Sequence, residues 1–509
     1  MPTYPAAAFP ISRSAFEAVV TELSAEGGER LAHADLERLL MERSVELVRC
    51  LEQDYLDVRA ERERVAPPEP MRGADGEERT ESRPSVRAVG SLFGTVLVHR
   101  LALVKHGVEG GLRPLDAHLN LPDGKYSHGV QREIAWSVAQ VSFDAAVENV
   151  RRMTGTTIAK RQAEELVVSY TADFQDFYAA QPRVLDAADR LLMLTFDGSG
   201  VVMRNEGLRP ETRKKAEKSR RKSAAETSAN VRRAPDEPNR KRMAEVAAVY
   251  SLEVSSRTPE DVMRELRRTG PRQKRPRAQN KRVWASLERP IVDVVDDAFY
   301  EALQRDENYE RRWVALVDGN LDQLDAVQRM AVHYGAEITI VVDFIHVLGY
   351  LWKAGKALNE GANADVVEAW VTERAERVLR GDASLVAAGI RRSATRRGMT
   401  GIPRKAVDKC ANYLLNHKAH LRYHEYLRDG LPIATGVIEG ACRSLVQDRM
   451  DITGARWGLP GAEAVLKLRS LRASGDFEDY VTFHERRELE RNHLQHYDQH
   501  ELIQLREAA

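Results

Sequence analysis

The chain has 509 residues, 43% hydrophobic and 30% charged, with 77 Lys and Arg balanced by 77 Asp and Glu. That composition excludes a disordered chain and fits a helix-rich globular protein of about three or four domains. No run of about 18 apolar residues is present to cross a membrane, and the opening MPTYPAAAFPISRSAF lacks the basic and apolar regions of a secretion leader. Three scattered cysteines, Cys50, Cys410 and Cys442, argue against a disulfide framework and for a reducing cytoplasm.

The zero net charge conceals segregation. Residues 204–242 hold 14 Lys and Arg against 6 Asp and Glu, and RELRRTGPRQKRPRAQNKR (264–282) follows, whereas the first 90 residues are rich in Glu. Basic runs broken by Pro, Ser, Asn and Gly pack poorly and neutralise phosphates well. A solvated loop at 204–242 is therefore expected, with Lys214, Lys215, Arg220, Arg221 and Lys222 as candidate DNA contacts.

In chain order, three- and four-residue apolar spacing predicts helix over 12–66, and a polar stretch with Pro and Gly predicts a linker over 67–84. VRAVGSLFGTVLVHRLALV (86–104) predicts a hairpin. SFDAAVENVRRMTG (142–155) predicts a helix capped by Ser142 and ended by Gly155, with a second helix starting at Lys160, Arg161 and Gln162. That outline is a helix-turn-helix whose second helix can face a major groove.

LLMLTFDG (191–198) and RRWVALVDGN (311–320) predict strands buried on both faces and ending in Asp-Gly. RMAEVAAVYSLEVSS (242–256) and EITIVVD (337–343) predict further strands, and PIVDVVDDAFYEALQRD (290–306) and LDQLDAVQRMAVHYG predict helices. Residues 347–430 are helical throughout, and TGVIEGACRSLVQDRM (435–450) predicts a last helix carrying Glu439. This order is that of a ribonuclease-H-like core, α+β or α/β, with an all-helical insertion before its last helix. The expected domains are 1–85, a helical region and linker; 86–185, hairpin and helix-turn-helix-like; 190–475, catalytic, with the basic insert 204–242 and helical insertion 347–430; and 476–509, a charged helix or tail.

Cleaving a phosphodiester requires a nucleophile at neutral pH and neutralisation of the leaving oxygen, which two magnesium ions about 3.5–4 Å apart can supply. Magnesium takes oxygen ligands, so a few carboxylates converging from different elements suffice. Asp197 and Asp318 are expected at two strand ends, on the rim where α/β sheets bind ligands. Glu439 supplies a third carboxylate, with Arg443 four residues on, a spacing that also describes an ordinary surface ion pair. Asp343, ending a third strand, is the rival to Asp318.

These segments resemble the DDE transposases of bacterial insertion sequences in the Mutator-like group, most closely the ISKra family, over about residues 110–475. LTFDGSGVVMR is similar to the first-Asp segment, RWVALVDGN to the second, and VVDFIHVLGYLW carries the group's Asp-x-x-His, here Asp343 and His346. GVIEGACRSLVQDRMDITGARWGLP resembles the catalytic-Glu block and the Arg-Trp segment after it, Arg456 and Trp457. The resemblance implies two divalent cations, Mg2+ or Mn2+, held by Asp197, Asp318 and Glu439, with His346 near the site. It also implies cleavage at element ends, strand transfer into target DNA, recognition of terminal inverted repeats in double-stranded DNA, and action as a homodimer or higher oligomer at the nucleoid.

Trp457 has two readings, a core residue or a platform for an unpaired base. Two histidine runs, His417, His420 and His424 after Cys410, and His493, His496 and His500, are expected on polar helix faces, since zinc sites favour paired clusters separated by a loop. Two other functions fit the same residues: a catalytically silent DNA-binding regulator, and a ribonuclease-H-like nuclease such as a junction resolvase.

Overall fold

The computed structural model describes residues 8–182, 185–226, 240–270, 275–434, 436–452 and 454–498, with side chains not described over 219–226. Helix and sheet are mixed, and the chain divides into two units: Met1–Ala180 with Gly475–Ala509, and Gln181–Ser474. The expected regions 1–85, 86–185 (apart from 181–185) and 476–509 thus share one unit. Among the described residues, no helix is long and apolar enough to cross a membrane, and the three cysteines are free and buried.

The first unit opens with α1 (Pro10–Ser24) and α2 (His33–Val65), separated at Gly27 and Gly28 rather than continuous. The buried Asp54 of α2 accepts the Ile11 and Ser12 N–H groups at 3.2 and 2.7 Å, satisfying donors that a helix start leaves open. The expected linker is partly ordered: β1 (Met71–Arg72) pairs with β2 (Glu78–Arg79), and the buried Arg79 binds Asp75 at 2.8 Å. β3 (Glu81–Ser91) and β4 (Gly94–Val104) form the predicted hairpin, one residue pair after another from Ser91–Gly94 to Glu81–Val104.

After α3 (Pro114–His118), three helices pack on one another: α4 (His128–Val138), α5 (Phe143–Met153) and α6 (Lys160–Tyr170). Ser142 caps α5 through the Ala145 N–H at 3.2 Å, as its sequence position predicts. α7 (Phe174–Ala180) completes this stretch.

The second unit is built on a five-stranded sheet. Its members are β5 (Leu191–Val202), β6 (Lys241–Leu252), β7 (Gln279–Ser286), β8 (Trp313–Val317) and β9 (Ile338–Val342), in the order β7-β6-β5-β8-β9. β7, β6 and β5 are antiparallel, while β5, β8 and β9 are parallel. Every residue of β8 is buried, as its unbroken apolar run requires of a strand covered on both faces.

The connections are helical. The basic segment after β5 is not a loop throughout, because α8 (Pro210–Glu226) occupies much of it. Pro210 at the start, Glu211 in the first turn and a run of Lys, Arg, Ala and Glu favour helix. α9 (Pro259–Arg267) interrupts the β6–β7 hairpin, α10 (Ile291–Arg305) precedes β8, and α11 (Leu321–Tyr334) joins β8 to β9. The helical stretch after β9 is α12 (Phe344–Leu358), α13 (Ala364–Leu379), α14 (Ala383–Arg396), α15 (Gly401–Asn416) and α16 (Tyr423–Arg428). α17 (Gly436–Ala441) runs through a π-helical turn, Cys442–Gln447, into α18 (Asp448–Met450), followed by α19 (Leu459–Ser474). The last helix, α20 (Phe477–Asn492), belongs to the first unit, where Tyr480 donates to the Tyr170 carbonyl at 2.6 Å.

Glu301 of α10 is wholly buried between Arg282 of β7, which pairs with it, and Arg305, at 2.8 Å. Removing one partner of such a group leaves buried charge uncompensated. Glu301→Gln is therefore expected to lower unfolding free energy by about 3–5 kcal/mol, measured by urea denaturation; an unchanged midpoint would show that the pairing contributes nothing.

Candidate active site

The parallel ladder positions the carboxylates. Thr195 pairs with Leu316 and Val317 with Val342, and continuing each register by one or two residues brings Asp197, Asp318 and Asp343 level on adjacent strands. The Asp343 N–H donating to the Val317 carbonyl at 2.8 Å continues that ladder past β9. Asp197 differs from expectation: it does not end its strand, because β5 runs on to Val202, paired with β6. It lies just beyond the β8 pairing, which stops at Thr195. Asp318 and Asp343 do follow the ends of β8 and β9.

Asp197, Asp318, Asp343, His346 and Glu439 line one cavity of about 800 Å3. Burial, then the charge of Asp318, raise the Asp197 pKa above the ordinary carboxylate value, against the Gly198 N–H, the Cys442 thiol and His346, which lower it. The Cys442 Sγ donates to Asp197 Oδ2 at 3.4 Å, and burial together with Asp197 and Glu439 pushes the thiol up, so it remains a protonated donor. Among the described residues Asp197, Asp318 and Glu439 form no ion pair with Lys or Arg. Carboxylate oxygens are the donors that hard divalent cations take; these three share one cavity wall, but among the described residues their oxygens do not gather as closely as a metal-ligand group.

Glu439 sits on α17 with Ile438, Ala441 and Cys442 facing the core. The helix then widens into its π turn, a feature frequent at functional sites. Arg469 of α19 donates to the Leu445 carbonyl at 2.8 Å and to that of Ser444, meeting acceptors of the widened turn. Arg443 in this turn is exposed and makes no ion pair with Glu439 among the described residues, so the surface-pair alternative does not hold.

The helical insertion braces the Asp318 loop. Tyr413 of α15 donates to the Asp318 carbonyl at 2.7 Å, and His417 Nε2 lies 2.9 Å from the Gly319 carbonyl. Gly319 has φ +84°, and a Cβ there would fall 2.6 Å from the Tyr413 hydroxyl, so both backbone and space require glycine. The Asp318 carboxylate accepts the Asn320 N–H at 2.7 Å, and Asn320 in turn caps α11 through Asp322. Asp343 caps α12 through the Ile345 N–H at 2.6 Å, so it has a structural role as well as a place on the cavity wall. His346, one turn on, is exposed.

Other predicted residues lie elsewhere. Trp457 is buried, donates to the Met450 carbonyl at 3.0 Å and is bridged to Met203 at the end of β5. Burial takes both ring faces out of reach of a base, which leaves the core reading; Arg456 beside it is exposed. Lys214 and Lys215 are exposed on α8, whereas the side chains of Arg220, Arg221 and Lys222 lie outside the described residues. In the first unit Lys160, Arg161 and Gln162 are exposed at the start of α6, bonded to Asp144, Glu165 and Tyr126.

The histidine runs do not share helix faces. His417 ends α15, His420 lies in a separate turn and His424 in α16. α20 ends before His493, which meets the Leu121 carbonyl at 2.7 Å, and His500 lies outside the described residues. The group that does gather as metal ligands would is Asp173, His484 and Glu488 of the first unit. Arg491 pairs with both its carboxylates and His484 lies 2.7 Å from Asp173, so an internal cation already neutralises it.

Sequence reasoning missed Glu245, Cys442 and Tyr413. Glu245 pairs across from Gly198, and burial together with Asp197, Asp318 and Asp322 raises its pKa. The hairpin register could have revealed it only if the length of the basic insert were known to leave β5 and β6 paired. Cys442 lies three residues after Glu439 on one helix face, a spacing visible in the sequence.

Tyr413→Phe is expected to cost about 1 kcal/mol of stability, the value of one hydrogen bond, and Gly319→Ala more, by chemical denaturation; a neutral Gly319→Ala would refute the close approach. The raised Asp197 pKa means that its ionised form costs folded-state stability. That cost is complete above the raised pKa and vanishes as pH falls below the ordinary carboxylate value. Asp197→Asn should therefore raise the metal-free melting temperature at neutral pH, with the gain disappearing in acid. A variant that melts lower at neutral pH would contradict this.

No protein-family model matches this chain, and no curated protein aligns with it significantly.

Proposed function

We propose that the chain is a DDE transposase that cleaves DNA at insertion-sequence ends and transfers the strand into target DNA. The observation that carries this reading is the pairing register that levels Asp197 with Asp318 on neighbouring parallel strands, with Glu439 on the wall of the same cavity. Three antiparallel strands continued by two parallel ones, ordered β7-β6-β5-β8-β9, with helices inserted between β9 and α17, is consistent with a ribonuclease-H-like core carrying an all-helical insertion.

In this reading Asp197, Asp318 and Glu439 hold two Mg2+ or Mn2+ ions, which when bound supply charge neutralisation at the phosphate and a nucleophile at neutral pH. The remaining work belongs to the chain. Cys442 orients the Asp197 carboxylate, Tyr413 and His417 hold the Asp318 loop, and His346, exposed on the cavity wall, offers a hydrogen bond to a phosphate oxygen. Glu245 adds negative charge beside the ligands and strengthens the field that attracts cations. Lys160, Arg161, Gln162, Lys214 and Lys215, exposed on α6 and α8, are the proposed contacts to double-stranded DNA, and the protein acts as a homodimer or higher oligomer.

The test incubates the protein with magnesium and a duplex carrying candidate terminal repeats, scoring release of a 3′ hydroxyl and its joining to target DNA. Both products are expected. Asp197→Asn, Asp318→Asn and Glu439→Gln should each reduce them by more than about a hundredfold, since even partners behind a metal ligand are worth 10–100-fold. Binding without cleavage, unchanged in Asp197→Asn, would replace the reading with a silent DNA-binding regulator. Cleavage of branched DNA without joining would replace it with a structure-specific nuclease.

A further inference from the structure

The cavity that holds the carboxylates has a second wall of opposite character. The β6–β7 connection, which a hairpin would make in a few residues, runs here through α9. Thr258 and Asp261 form a capping box at the start of that helix. The segment is tied to the helical insertion: the Ser255 N–H donates to the Gly430 carbonyl at 3.0 Å, that of Arg257 to the Leu427 carbonyl at 2.9 Å, and Arg380 pairs with Glu260 at 2.5 Å. A connection fixed at three points holds its side chains against the cavity.

Arg257 stands where this cavity meets a smaller one of about 130 Å3, lining both. Its side chain is half-buried and makes no hydrogen bond or ion pair among the described residues. The acidic groups nearest in charge are already engaged: Glu265 pairs with Arg275, and Asp261 with Arg264 at 3.0 Å and with the Thr258 N–H at 2.9 Å. Burial and Arg275 lower the Arg257 pKa, yet a guanidinium remains charged at neutral pH. Sequestering such a group without a partner costs free energy, and the cost is recovered when an anionic ligand arrives. A planar fork of five donors suits the two free oxygens of a phosphodiester.

We propose that Arg257 grips a backbone phosphate of the DNA strand on which the carboxylates act, making the segment from Ser255 into α9 a substrate-binding element. The proposal rests on the transposase reading of the same cavity and deepens it. The carboxylates and their cations would address the scissile phosphate, while Arg257 fixes a neighbouring phosphate of the same strand. Carried by a segment anchored to α16 and α13, it would hold the strand in register with the ligands.

The experiment compares wild type, Arg257→Gln and Arg257→Lys in the full-length chain. The probe is a fluorescein-labelled mixed-sequence duplex with a single-stranded 3′ overhang, and affinity is measured over a salt series without divalent cation. Cleavage of the terminal-repeat duplex with magnesium is measured in parallel, and each variant's melting temperature checks folding. Arg257→Gln is expected to weaken binding about tenfold, the scale of one charge-assisted hydrogen bond at a half-exposed site. It should also flatten the slope of log affinity against log salt by about one, while Arg257→Lys keeps the slope. Losing one phosphate contact changes that slope; a purely structural fault does not. Unchanged affinity and slope in Arg257→Gln, with wild type cleaving, would overturn this proposal and leave the transposase reading intact. Equal loss in both variants, with lowered melting temperatures and an unaltered slope, would assign Arg257 a structural role and overturn it as well. A wild type that neither binds nor cleaves would instead fail the transposase reading, and the phosphate role with it.

Discussion

The register of β5 against β8 is the constraint on which the candidate site depends. In a strand, side chains alternate between faces, so a slip of one residue would turn Asp197 to the side of the sheet away from Asp318. Leu192 with Trp313 through Thr195 with Leu316 settles that register inside a core where every β8 side chain is buried. The apolar contacts that stabilise the sheet therefore also level the carboxylates. The antiparallel β6 extends the arrangement by laying Glu245 beside Gly198.

Bringing carboxylates together opposes folding, and the surroundings of the cavity reflect that opposition. Asp197 receives an N–H, a thiol and the influence of His346, yet burial and Asp318 still raise its pKa. No Lys or Arg among the described residues pairs with Asp197, Asp318 or Glu439. At Asp173, which gathers with His484 and Glu488, Arg491 supplies the compensating charge. The two sets differ in convergence as well as in neutralisation: Asp173, His484 and Glu488 gather closely around an internal cation, whereas Asp197, Asp318 and Glu439 share a cavity wall without gathering so closely. The insertion helices hold the second arrangement open, through Tyr413 and His417 on the Asp318–Gly319 turn and Tyr423 on the Val342 carbonyl at 2.7 Å.

Local signals were legible where they rest on local physics. The unbroken apolar runs of β8 and β9, the Ser142 cap, the hairpin at 86–104 with its β-branched residues and central glycine, and the helical periodicity after residue 344 are all visible as sequence and present as structure. Two readings changed because residues far along the chain decided them. Asp-Gly at 197–198 looked like a strand end, but β6 pairs with β5 on past it. The 67–84 segment looked like a linker, but β1 pairs with β2 there and the buried Arg79 donates to the Gly110 carbonyl at 3.1 Å.

The sequence by itself determined the elements and nominated the residues: hydrophobic periodicity, caps and turn formers act within a few positions, Asp197 and Asp318 stood out at the ends of apolar runs, and Glu439 stood out on a helix of small and apolar residues. Only the tertiary structure decided which of them meet. Strand order, register and the course of the β6–β7 excursion arise from contacts between residues far apart in the chain. No local pattern encodes the separation at which those contacts close. That is why Glu245, Cys442, Tyr413 and Arg257 enter the site only once the sheet is assembled, although each was in plain view in the sequence.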